Sequence, residues 1–197
     1  MKIFRRSCFS YVLLGAAGLI SIGGMGRAAA AAGFDPRAIA FVNLYRDTCM
    51  DHLNKPAALR SDLDGQGWHS VPSQDASFFL QGAPGRTWAV TKSAENFVVA
   101  LRDDGICAVF AHSAKQGDVE LFFNALVKST AATGLPTERR PDKVLQTSNG
   151  PVRYTSYVQG KPESKVRISL ALSTTSSTTA NVQAMATLSL IRGAAPK

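Results

Sequence analysis

The 197-residue sequence is poor in the side chains that catalysis draws on, with three cysteines, three histidines and an aromatic share of 8%. It contains no G-x-S-x-G elbow, no P-loop, no G-x-G-x-x-G, no C-x-x-C and no H-E-x-x-H. Local sequence therefore offers no serine-hydrolase elbow, no nucleotide cradle, no thioredoxin-type dithiol and no zincin helix. Gly65-Gln-Gly67 is only a fragment of a glycine pattern. Acids are the minority charge, 14 against 22 lysines and arginines. Four of the basic residues (Lys2, Arg5, Arg6, Arg27) fall in the first 32, which hold no acid, so the rest carries an excess of four. An excess that small and scattered makes no nucleic-acid footprint. Repeats and linker-like stretches are absent too, which points to one domain.

Long apolar runs are equally scarce. The one present, Tyr11–Ile22, follows the basic Lys2, Arg5 and Arg6 and precedes the small residues Ala28–Ala32. That order is an export signal, and the run is too short and too rich in glycine for a convincing transmembrane span. Cys8 lies before the apolar run rather than at its end, which excludes a lipoprotein anchor. The expected organisation is a cleaved signal peptide over 1–32 and a single α+β domain over 33–197. The address is periplasmic or secreted, with no stable membrane insertion after cleavage.

Beyond residue 33, Asp35-Pro36 opens a helix in which Ala38, Val42, Tyr45 and Cys49 share a face widened by Phe41 and Leu44. A second helix starts at Asn54 or Lys55 with Pro56 near its start, presents Leu59 and Leu63, and stops at Gly65 and Gly67. Loop-like sequence follows, broken by a single helical turn at Ser73–Leu80, where Phe78-Phe79-Leu80 makes an apolar plug. A strand at 87–91 leads into a hairpin whose runs, 97–101 and 106–111, flank the turn Arg102-Asp-Asp-Gly105. Asp118 then caps a helix with Val119, Phe122, Leu126 and Thr130 on one face. The remainder alternates with period two over 143–147, 152–159, 165–173 and 182–190. Such alternation describes an antiparallel sheet of about six or seven strands with helices packed on one face.

Cys49 and Cys107 are the two cysteines outside the signal. In an oxidising compartment they should form one disulfide, pinning helix to sheet across nearly sixty residues. A metal reading competes with it: Cys49-Met-Asp-His52 is a C-x-x-H, and His112 follows Cys107. Strand parity places Cys107 and His112 on opposite faces, and an oxidised pair offers no thiolate, so no metal and no cofactor is expected. His69, beside Trp68, is the other candidate, able to work with Asp62 or Asp64 as a general base. Asp103-Asp104 is explained by its turn, and Arg139, Arg140 and Lys143 read as charges guarding a sheet edge.

The order of Phe41 and Cys49 on a helix, Gly67-Trp68, Trp88, Gly105-Ile-Cys-Ala-Val-Phe110 and Phe122 resembles small exported proteobacterial proteins of unknown function. The resemblance spans about residues 36–130. It implies a disulfide-linked periplasmic domain and carries no catalytic residue across. The function expected is that of a non-enzymatic binding or accessory protein of the cell envelope, holding a protein or small ligand on a wet sheet face or in a groove. The alternatives are a small envelope hydrolase using His69 with Asp62 or Asp64, and an inhibitor or accessory subunit of a secretion machine. An apolar patch around Met185 and Ile191 would favour the last.

Overall fold

The computed structural model describes residues 33–90 and 96–193. The expected signal peptide lies outside the described residues. Helix α1, Pro36–Tyr45, begins where the Asp35 carboxylate accepts the Arg37 amide and Pro36 presets the first turn. It runs on as a π-helical turn, Arg46–Met50, which carries Cys49. Helices α2, α3 and α4 span Pro56–Gly65, Ser73–Leu80 and Gln116–Ala131. The strands are β1 His69–Ser70, β2 Gly85–Val90, β3 Phe97–Arg102, β4 Cys107–Ala111, β5 Thr137–Arg139, β6 Lys143–Thr147, β7 Gly150–Gln159, β8 Val166–Thr174 and β9 Ala184–Arg192.

All nine strands belong to one antiparallel sheet in the order β1-β2-β3-β4-β9-β8-β7-β5, with β6 beside β5 on the same edge of β7. The α+β class is therefore as the sequence implies, with more strands than six or seven. The additions are β1 and β5, of two and three residues, too short to show any periodicity. Arg139, Arg140 and Lys143 lie along the outer edge formed by β5 and β6. There Arg139 pairs with Asp142 and Arg140 with Glu138.

Register sorts the side chains. Trp88, Val99, Leu101, Cys107, Val109, Leu170, Leu172, Ala186 and Leu188 point to one face. They pack there with Phe41, Tyr45, Leu59, Leu63, Val119, Phe123 and Val127 from α1, α2 and α4. The Cys49–Cys107 disulfide crosses this core, with both cysteines buried and Cα atoms 5.5 Å apart. Tyr45, wholly buried, donates its hydroxyl to the Thr187 carbonyl at 2.9 Å, and burial pushes its phenol above the ordinary range.

The second face is not left wholly to water. Helix α3 lies over β2–β4 and sets Ala76 and Leu80 on Ala100, Ala108 and Phe110. The segment expected to make a single turn is thus an eight-residue helix, and its plug residues cover the face opposite the other helices. Gly85 admits this approach, because a Cβ there would meet the Leu101 carbonyl at 2.5 Å and Leu80 at 2.8 Å. Among the described residues no helix is long and apolar enough to cross a membrane.

Helix α4 starts earlier than Asp118. Its N-cap is Lys115, whose amide donates to Asp35 Oδ2 at 2.7 Å, while the Asp35 amide donates to Asp118 Oδ2 at 2.7 Å. The two helix starts thereby satisfy each other's orphan amides. The buried stripe becomes Val119, Phe123 and Val127, and Phe122 and Leu126 are only partly covered. Burial pushes the Asp35 carboxyl up. The Arg37 guanidinium and the Lys115 and Arg37 amides outweigh burial and hold it below the usual carboxylate range.

Candidate functional site

The three histidines fall in three separate places. His52 follows the π-helical turn, with Nδ1 at 3.1 Å from the Thr48 carbonyl and 3.2 Å from that of Asp47. Its Nε2 meets Asp62 Oδ2 on α2 at 2.8 Å. Both ring nitrogens thus face acceptors, and both can donate at once only when the ring carries two protons. With both nitrogens engaged, the ring ties the π turn to α2. His69 is exposed on β1. The carboxylates expected beside it are engaged elsewhere: Asp62 with His52, and Asp64 with Arg86 and the Trp88 indole N–H, which donates at 2.9 Å. The Trp88 hydrogen bond and the Arg86 guanidinium hold Asp64 below the usual range against burial.

A hollow of about 560 Å³ opens above the disulfide, and Cys49, His52, Asp103, Asp104, Cys107 and Arg192 line it. Its chemistry is largely spoken for. Asp103 pairs with Arg60, and Asp104 takes Arg102 and the Ile106 amide within the β3–β4 turn. Arg102, the stronger of these partners, keeps the Asp104 carboxyl low despite some burial. The cysteines are oxidised and have no thiolate to offer. His112 stands away from this group, its Nδ1 bonded to the Asn181 carbonyl at 2.8 Å. Among the described residues no three His, Cys, Asp or Glu side chains come together in a way that could hold a metal ion.

The less occupied space lies on the α3 face. One hollow of about 490 Å³ runs between α3 and the sheet, walled by Phe78, Phe79, Val98, Phe110 and Val182, with His112 at its rim. A second, of about 310 Å³, lies on the far side of Phe78 and shares Phe78, Phe110 and Val182 with the first before reaching Met185, Ser173 and Val152. A third, of about 200 Å³, continues past Phe79 and Phe110 toward Thr187 and Ser189. The three rings of Phe78, Phe79 and Phe110 form a relay of edge-to-face contacts at 5.2 and 5.1 Å. Phe78 leaves 60% of its surface exposed.

Sequence reasoning placed Phe78 and Phe79 but read them as filler. The readable signal is that adjacent aromatics on a two-turn helix cannot both face the sheet. Met185 does point to the face opposite the main helices, in register with Phe110 and Ser173. Ile191 shares that parity, nearer the end of β9 opposite Arg167. Comparison of the chain with family models, with curated proteins and with solved structures finds no match.

Proposed function

We propose that this chain is an exported, non-enzymatic binding protein of the cell envelope, periplasmic or secreted, which holds a small ligand with an apolar body on the α3 face of its sheet. The observation that carries the reading is the pair of adjoining hollows, about 490 and 310 Å³, that share Phe78, Phe110 and Val182. Small-molecule sites are concave and mostly apolar with a few polar groups at the rim, and the larger hollow alone has the volume of one. The disulfide supports the address, since such bonds persist where the compartment is oxidising. The likeness to small exported proteobacterial proteins belongs to the same reading.

The test is native recovery of the exported protein, followed by solvent extraction and mass spectrometry of what it carried. An apolar compound in stoichiometric yield is expected. It should be lost in Val182→Trp, which fills both hollows, while the far-UV circular dichroism stays that of the parent. An extract no richer than that of Val182→Trp, together with failure of a hydrophobic fluorescent probe to bind, would overturn the reading.

A further inference from the structure

The charge around the hollows allows the ligand class to be named, on the premise that the α3 face is the binding site. Ten of the described residues line the larger hollow, and Asp75 supplies the one carboxylate among them. Asp75 is exposed on the first turn of α3, and among the described residues no ion pair engages its carboxylate. Neither lysine nor arginine lines this hollow or its neighbour among the described residues. The remaining polar groups can accommodate a donor as well. A carbonyl can only accept, so His112 Nδ1 donates in its bond to Asn181, which in the neutral tautomer leaves Nε2 as an acceptor. Asn96 and Gln74 add amide oxygens at the same rim.

Aromatic faces complete the arrangement. Phe78 and Phe79 stand beside Asp75 on α3, and Phe110 lies beneath them on β4. Ring faces are the negative side of an aromatic quadrupole and attract organic cations, above all ammonium groups that carry little hydration. One carboxylate, three phenyl rings and an apolar floor together make a site for a lipophilic cation. We infer that the α3 hollow binds an organic ammonium with an apolar tail, its cationic head between Asp75 and the Phe78–Phe79 pair. The tail lies along Phe110 and Val182 toward Met185.

Three probes of one tail length decide this: dodecyltrimethylammonium, dodecyl maltoside and dodecyl sulfate, each titrated calorimetrically below its micelle concentration into the purified mature protein. The mature part is mildly basic, 18 lysines and arginines against 14 acids, so unspecific attraction favours the sulfate. The expected result runs the other way, with the ammonium bound about tenfold more tightly than the sulfate. Asp75→Asn should bring that ratio to about one and leave dodecyl maltoside unchanged, and Phe78→Ala should weaken the ammonium by about threefold to fivefold. Equal binding of all three heads, or a preference for sulfate, would overturn the cation assignment while leaving the apolar site standing. So would an Asp75→Asn ratio equal to the parent's. If none of the three binds, the apolar site itself fails.

Discussion

Phe41, Tyr45, Leu63, Trp88 and Phe123 are fully shielded between the sheet and helices α1, α2 and α4, whereas across the same strands Phe78 is 60% exposed and Phe79 only half-buried. Strand residues one position apart therefore meet two standards of packing. Val99 and Val109 are sealed into the main core. Val98 and Phe110, their neighbours in sequence, line a hollow. The closed side has long amphipathic helices, a disulfide and reciprocal caps between α1 and α4. The other side has one eight-residue helix, too short to cover five central strands. The tightest packing and the proposed binding hollows thus lie on opposite faces of the sheet, the closed side keeping a hollow of its own above the disulfide.

Truncation separates the faces most sharply. Phe123→Ala removes a fully buried ring from the closed face and should lower unfolding free energy by about 3–5 kcal/mol, whereas Phe79→Ala should lower it by about 1–2 kcal/mol. Denaturant unfolding of both variants checks this, and equal losses would mean that the α3 face is a second core rather than a binding surface. The disulfide comes next. It joins residues 58 apart, and loop-closure entropy sets about 4 kcal/mol as the most that the Cys49→Ser/Cys107→Ser double variant should lose. The melting temperature should fall while the relative affinities of the α3-face probes stay as in the parent. A change in those preferences would show that the two faces are coupled.

Acid gives the smallest effect. The folded-state carboxyls of Asp35, Asp64 and Asp104 are depressed, so their stabilisation is complete above the unfolded carboxylate value of about 3.9 and is lost as pH falls through their lower folded values. Stability should hold through neutral pH and decline below about pH 4. Asp35→Ala, which removes the α1 cap and an acceptor for the Lys115 amide, should cost about 1–2 kcal/mol at pH 7 and flatten the acid limb. An acid limb of unchanged slope in that variant would move the effect to other carboxylates.

Much of the closed face was legible in the residues. The spacing of Ala38, Val42, Tyr45 and Cys49 located the buried side of α1, and the two cysteines beyond residue 32, each on an apolar face, implied their bond. Alternation along β8 and β9 assigned Leu170, Leu172, Ala186 and Leu188 to the inward row correctly, whereas Val182, expected in the same row, lies before β9 and packs with Phe110 on the other face. The start of α4 was misjudged because its cap is completed by a carboxylate 80 residues away in sequence. No local pattern around Asp118 reports that. The candidate site was less legible. His52, His69 and His112 were singled out by type, but type says nothing of partners, and Asp62 turned out to face His52 rather than His69.

By itself the sequence determined what depends on neighbours along the chain: the starts of α1 and α2, strand alternation, turn chemistry, charge balance and which cysteines were available to pair. These follow from backbone geometry and side-chain periodicity within a few residues. The tertiary structure alone decided which carboxylate each histidine meets, that α3 falls on the face opposite the other helices, and that Phe78 and Phe110 enclose unfilled space. The physical reason is that a cavity belongs to no residue. It is the volume left when segments distant in sequence, here α3, β4 and the residues before β9, cannot close over one another.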